Sequence, residues 1–127
     1  GITIIDDAFN SNPVGARNAV DLLDEIDGEQ RYIVTLGMVE MGEHEDTANY
    51  ELGQHIATSA ADAVYLIGAA QTEALRRGLR EGGFPADRIH VHDTLFEAQE
   101  ALTARLQSGD VVLYENDLPD QYEPAGA

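Results

Sequence analysis

The side chains best suited to chemistry lie in one short segment near the start of the sequence. A run rich in β-branched residues, Ile2–Ile5, is followed by the carboxylates of Asp6 and Asp7 and then by the amides of Asn10 and Asn12. Carboxylate and amide oxygens accept hydrogen bonds from hydroxyl groups and amines. The order of residues therefore indicates a binding site for a polar small molecule. The alternative is that the segment supplies only a turn and a helix cap.

The local pattern around these side chains predicts a strand followed by a helix. The apolar run Ile2–Ile5 is too short for a helix, and its β-branched residues favour a strand. Asn12 can cap a helix, and Pro13 suits the first helical position. We therefore expect the polar residues at the carboxyl end of a strand, beside the N–H groups of a helix, which is where open α/β sheets bind ligands.

The rest of the chain alternates between strand and helix patterns and shows no internal repeat. The predicted strands are Ile2–Ile5, Arg31–Leu36, Ala63–Ile67, Arg88–His92 and Asp110–Tyr114. The predicted helices are Val14–Ile26, Thr47–Ala60, Gln71–Arg80 and a last one capped by Thr94 and running to about Gln107. Because a helix separates successive strands, we expect right-handed crossovers and a mostly parallel sheet of five or six strands. The fold class is α/β, a Rossmann-like three-layer sandwich with residues 1–127 as one domain.

Two segments resemble motifs of a known family. Asp6–Pro13 resembles the D-D-[SA]-[YF]-N-[AS]-N-P motif that opens the C-terminal domain of Mur ligases, of the type that adds D-alanyl-D-alanine to the peptidoglycan precursor. Thr35–Glu43 resembles the G-D-M-x-E-L-G-E segment after the second strand, although the family's aspartate is missing between Gly37 and Met38. Glu115–Asp120 replaces the family's K-G-S-R element. The similarity covers nearly the whole chain.

The resemblance implies a role in an ATP-dependent carboxylate–amine ligase of peptidoglycan precursor synthesis. In that family ATP phosphorylates a carboxylate, and an amine then attacks the acyl phosphate. The C-terminal domain closes over the nucleotide and helps to position the amine. ATP and magnesium are held mainly by a central domain of the same parent chain, so the resemblance implies no catalytic residue and no metal ligand in this domain. We expect the domain to be excised from a longer chain and to be inactive alone.

Specific residues follow from the resemblance and from their places after strands. The expected nucleotide contacts are Asp7, Asn10 and Asn12, with Asp7 as the partner of the ribose. The expected substrate contacts are Glu40, Glu43, His44 and Glu115. Among these, we expect the three glutamates to hold a cationic amine. Each of these acids is alternatively a solvated loop residue.

Composition limits the partners and the compartment. The chain has 24 acidic against 7 basic residues, no lysine and no cysteine, for a net charge of −17. Such a surface repels nucleic acid and anionic membranes. We therefore expect a small-molecule or peptide-nucleotide substrate, no nucleic acid and no membrane. The lack of cysteine fits a reducing compartment, and we expect a cytoplasmic protein.

The histidines and one rival function remain open from sequence alone. His90 and His92 share a strand face as a possible metal-ligand pair, although exposure on an edge strand is the commoner fate. His55 falls on the apolar side of its helix, where a satisfied, partly buried histidine is expected. The rival function is a stand-alone binding or regulatory module of response-regulator type. Such a module needs an aspartate after its third strand to accept a phosphate, and none follows Ile67. A purely structural interaction domain is a third possibility.

Overall fold

The computed structural model describes residues 1–7 and 13–115 of the chain. Its strands are Thr3–Asp7 (β1), Arg31–Thr35 (β2), Ala63–Ile67 (β3), Ile89–His92 (β4) and Val111–Glu115 (β5). Its α-helices are Pro13–Glu25 (α1), Glu45–Ala57 (α2), Glu73–Glu81 (α3) and Leu95–Thr103 (α4). Within these ranges no helix is both long and apolar enough to cross a bilayer.

The described strands form one parallel sheet in the order β1-β5-β2-β3-β4. The steps from β1 to β2, β2 to β3 and β3 to β4 move in one direction across the sheet, whereas the step from β4 to β5 returns. Right-handed crossovers therefore put α1, α2 and α3 on one face and α4 on the other. The packing agrees, because the buried side chains of α1, α2 and α3 share one apolar cluster and those of α4 belong to a second. The predicted three-layer α/β sandwich is confirmed.

Most element boundaries lie within two residues of the expected ones, and the carboxyl ends of α2 and α4 differ by more. Helix α2 begins at Glu45 instead of Thr47, because the 3₁₀ turn Gly42–His44 leads directly into it. Helix α4 ends at Thr103, well before Gln107. Strand β1 continues to Asp7, so that both opening acids belong to the strand.

The expected cap of α4 is confirmed. The Thr94 hydroxyl oxygen accepts a hydrogen bond from the backbone N–H of Glu97 at 3.1 Å. The Glu97 carboxylate reaches back to the backbone N–H of Asp93 at 3.2 Å. This exchange closely resembles a capping box and satisfies two N–H groups near the start of the helix.

Helices α2 and α3 approach each other closely because each has a glycine at the crossing. A Cβ atom at Gly53 would overlap the backbone oxygen of Leu75, and one at Gly78 would overlap the backbone oxygen of Tyr50. Both glycines are buried. The contact therefore joins backbone to backbone, and it fixes the distance between the two helices where they cross.

Candidate functional site

The carboxyl ends of three neighbouring strands place Asp7, Glu115 and Thr35 in one row. Asp7 of β1 is in register with Glu115 of β5, and Glu115 is in register with Thr35 of β2. The expectation that residues after β1 and β5 meet at one edge is therefore confirmed for these backbone positions. The side chain of Asp7 lies outside the described part of the structure, as do Asn10 and Asn12.

Two polar side chains in this row are fully buried. Glu115 and Thr35 both have no exposed surface. The Thr35 hydroxyl oxygen accepts the backbone N–H of Gly37 at 2.9 Å, which turns the chain immediately after β2. Gly37 has a φ of +83°, and a Cβ there would lie 2.7 Å from the side-chain oxygen of Asn49. Both the backbone conformation and the close approach therefore require glycine at this turn.

The loop of residues 37–41 is held against the first turns of α2. Asn49 Oδ1 accepts the backbone N–H of Met38 at 2.7 Å, and Asn49 Nδ2 donates to the backbone oxygen of Met38 at 2.9 Å. The backbone N–H of Met41 donates to Glu45 Oε1 at 3.3 Å. Met38 is buried in the apolar cluster, so polar and apolar contacts anchor the loop together.

Three of the predicted substrate residues stand on the surface of this region. Glu40 is exposed and has a φ of +60°, the one positive value for a residue other than glycine in the described part of the chain. Glu43 and His44 are exposed in the 3₁₀ turn, and His44 Nε2 lies 3.8 Å from Glu43 Oε2. None of the three lines the cavity that opens beside them.

That cavity, of about 370 Å³, lies between the amino-terminal ends of α2 and α3. It is lined by Gly42, Glu45, Asp46, Asn49, Ala70, Gln71, Glu73 and Ala74. Three of the lining side chains are carboxylates and two are amides. The cavity therefore has the chemistry to bind a cationic or hydrogen-bonding small molecule.

One guanidinium group joins two of these carboxylates across the helix pair. Arg77 Nη2 lies 2.9 Å from Asp46 Oδ2 of α2, and Arg77 Nη1 lies 2.7 Å from Glu73 Oε1 of α3. The hydrogen bond with Glu73 is the largest cause that raises the pKa of Arg77. The same guanidinium lies over the ring of Tyr50, 5.3 Å from its centroid. Arg77 therefore pairs with two of the three carboxylates that line the cavity.

The sequence analysis did not name the residues that line this cavity. Glu45, Asp46 and Glu73 were missed because each stands in the first turn of a helix, where an acid is expected for the helix dipole alone. Asn49 was missed as well, although its position offered a signal. It falls on the buried stripe of α2 with Ala48 and Leu52. A buried amide requires hydrogen-bond partners, and here they belong to the loop after β2.

The paired histidines of β4 belong to an aromatic cluster. The His90 ring stacks on Tyr65 with centroids 4.6 Å apart, and the His92 ring stacks on Tyr65 at 6.1 Å. Burial, followed by the charges of Arg105 and His92, lowers the pKa of His90. No group of three metal-ligating side chains occurs in the ranges that the structure describes. This cluster therefore packs β4 against its neighbours.

His55 is satisfied by an acid on the neighbouring helix, as expected. Its Nε2 lies 2.7 Å from Asp21 Oδ1 of α1. The side chain is partly buried, with 28% exposed. The contact links α1 to α2 on the outside of the fold.

Comparison with known proteins gives one family and several relatives. The model of the family described as "Mur ligase, glutamate ligase domain" matches residues 1–114. A UDP-N-acetylmuramoyl-tripeptide–D-alanyl-D-alanine ligase of Bacillus subtilis is 27% identical over 115 residues, which are 90% of this chain and 25% of that protein. The chain thus spans a quarter of the length of this relative.

Solved structures share the fold. A MurF ligase from Thermotoga maritima, in complex with ADP, has a TM-score of 0.72 and 24% identity over 91% of this chain and 25% of its own. A MurF from Acinetobacter baumannii has a TM-score of 0.71 and 21% identity over 97% of this chain and 26% of its own. A separately crystallised domain of a putative UDP-N-acetylmuramate:L-alanyl-gamma-D-glutamyl-medo-diaminopimelate ligase from Haemophilus ducreyi has a TM-score of 0.57 and 21% identity over 91% of this chain and 80% of its own.

Proposed function

The chain belongs to the Mur ligase, glutamate ligase domain family, and from this membership we propose that it closes the nucleotide site and positions the amine substrate in an ATP-dependent amide ligase of peptidoglycan precursor synthesis. The observation that carries the proposal is the family match over residues 1–114. The rival module of response-regulator type has no such support. The activity belongs to a longer parent chain, and the domain alone is inactive.

The nucleotide contacts come from the end of β1 and from residues that follow it in the sequence. Asp7 accepts hydrogen bonds from the ribose, and Asn10 and Asn12 contact the nucleotide beside it. Support comes from the motif resemblance, from the register of Asp7 with buried Glu115 at the edge where parallel sheets bind ligands, and from the relative crystallised with ADP.

The amine occupies the acidic cavity between α2 and α3. Glu45 supplies negative charge there beside Asp46 and Glu73, which already pair with Arg77, and the mixture of carboxylates and amides suits an ammonium group with a polar neighbour. Glu40, Glu43 and His44 lie on the adjoining surface and contact the outer part of the substrate. Glu115, buried at the end of β5, lies between Asp7 on the nucleotide side and Thr35 on the side of the amine cavity.

The chemistry then needs groups from the rest of the parent chain. ATP transfers its γ-phosphoryl group to the acceptor carboxylate and leaves as ADP. The ammonium group loses a proton to solvent, the neutral amine then attacks the acyl carbon, and phosphate leaves as the amide forms and a second proton is released. By the resemblance to the family, the magnesium ion and the catalytic lysine belong to the central ATP-binding domain of the parent chain. Closure of this domain excludes water that would hydrolyse the acyl phosphate. We propose a cytoplasmic enzyme without nucleic-acid or membrane partners.

Glu45→Gln in the full-length parent chain tests the amine site. The variant keeps an oxygen that accepts the Met41 N–H and removes one charge from the cavity. We expect the half-saturating concentration of D-alanyl-D-alanine, used as the probe amine, to rise roughly fivefold, because a charged hydrogen bond exceeds a neutral one by about 1 kcal/mol. The half-saturating ATP concentration should stay unchanged. Steady-state kinetics with each substrate varied in turn measures both values.

Glu51→Gln is the matched control for this experiment. Glu51 is an exposed acid on the same helix and does not line the cavity. It should change neither constant. An unchanged amine constant in Glu45→Gln would remove the cavity from the account, and a selective rise for ATP would assign Glu45 to the nucleotide instead.

A further inference from the structure

Asn49 lines the cavity, yet the protein itself engages its amide. Its Oδ1 accepts the backbone N–H of Met38, and its Nδ2 donates one hydrogen bond to the backbone oxygen of Met38 and one to that of Glu45, at 3.0 Å. The side chain is 2% exposed. Both amide hydrogens are therefore committed, and the close approach of Gly37 crowds the oxygen. The usual role of a polar cavity residue, a hydrogen bond to the ligand, is not open to this side chain.

Two of these hydrogen bonds join the loop of residues 37–41 to α2, and the third, to the Glu45 oxygen, lies within the helix. Asn49 holds the loop near its start, and the carboxylate of Glu45 holds its end through the N–H of Met41. Between these ties Glu40 adopts its left-handed conformation. Such a conformation costs about 1 kcal/mol or more for a residue with a side chain, and it persists only where the surroundings fix it.

We infer that Asn49 is a positioning residue for the amine site. Its amide locks the 37–41 loop to the first turns of α2, and so fixes both the Glu45 carboxylate and the loop wall that adjoins the cavity. The inference rests on the proposed function of the cavity. No other side chain of similar size makes the same bonds. Aspartate puts a charge against two carbonyl oxygens, and leucine leaves the Met38 N–H without its acceptor.

Two measurements on the full-length parent chain test this role with the variants Asn49→Asp and Asn49→Leu. The first is hydrogen exchange at the backbone amides of residues 38–41, compared with those of β2 and β3. The second is the half-saturating concentration of D-alanyl-D-alanine and of ATP, measured well below the melting transition. Asn18→Asp is the matched control, because Asn18 is exposed on α1.

We expect both variants to exchange faster at residues 38–41 with strand exchange unchanged, and to need roughly tenfold more amine with an unchanged ATP requirement, since misplaced binding groups lose affinity steeply. Unchanged loop exchange would overturn the inference. Full amine affinity in Asn49→Leu would also overturn it, because packing alone would then explain the residue. Equal changes in the amine and ATP requirements would overturn it as well. If the parent chain does not use this amine, the proposed function fails, while the exchange measurement still decides whether Asn49 holds the loop.

Discussion

Replacing Asp7 with asparagine in the full-length parent chain is expected to raise the half-saturating ATP concentration roughly 10- to 150-fold. The variant keeps the shape of the side chain and one acceptor oxygen but removes the charge. Hydrogen bonds to a charged group contribute about 1.5–3 kcal/mol, and a loss of that size corresponds to the stated range. The melting temperature should barely change. Steady-state kinetics and thermal unfolding of the same preparation measure the two effects.

Asp6→Asn is the neighbouring control for this prediction. Asp6 is exposed on the same strand, directly before Asp7, and it is in register with Tyr114. It should leave both ATP use and stability near their original values. A lowered melting temperature with normal ATP kinetics in Asp7→Asn would show that the opening motif only orders the turn before Pro13.

Alanine at Gly53 or at Gly78 is expected to lower the free energy of unfolding by about 2 kcal/mol, the upper end of the overpacking cost less the gain in helix propensity. A Cβ at Gly53 would overlap the Leu75 backbone oxygen and lie 2.9 Å from the Leu79 nitrogen. Backbone atoms of a packed helix cannot move aside cheaply, and overpacking costs about 1–3 kcal/mol and occasionally more. The gain in helix propensity from glycine to alanine is only about 1 kcal/mol. The cost of overlap with backbone atoms should therefore exceed this gain. Chemical denaturation of the wild type and of each variant measures the difference.

Glu51→Ala serves as the control for the glycine variants. Glu51 is exposed on the same helix, α2, and an exposed substitution there should change stability by no more than about 0.5 kcal/mol. Increased stability in Gly53→Ala would mean that α2 and α3 separate without cost, and that their crossing does not set the width of the cavity.

The sequence predicted the fold well because its signals are local. Apolar spacing and β-branched runs identify each helix and strand from its own residues, and the handedness of crossovers then restricts how they assemble. The cap at Thr94 was found from sequence for the same reason, since all of its bonds lie within a few residues. Boundaries shifted where a neighbouring turn joined a helix, as at Glu45.

The site was predicted less completely because its defining contacts join distant segments. Gly53 and Gly78 are each unremarkable in a helical pattern, and only their meeting makes both necessary. Asn49 likewise acts on Met38, eleven residues away. The strand-end rule brought Asp7 and Glu115 together correctly. It could not identify the cavity, because that depends on how closely two helices pack.

The measurement that tests the central claim most directly is a calorimetric titration of ATP into this domain alone and into the parent chain. A relative's domain has been crystallised separately, and a cooperative melting transition would establish that this one is folded in the titration. A domain that closes over a nucleotide held elsewhere should bind ATP alone only in the millimolar range or more weakly, about 4 kcal/mol of binding free energy. The parent chain should bind much more tightly. Micromolar binding by the isolated domain would contradict the account, because the domain would then hold the nucleotide by itself.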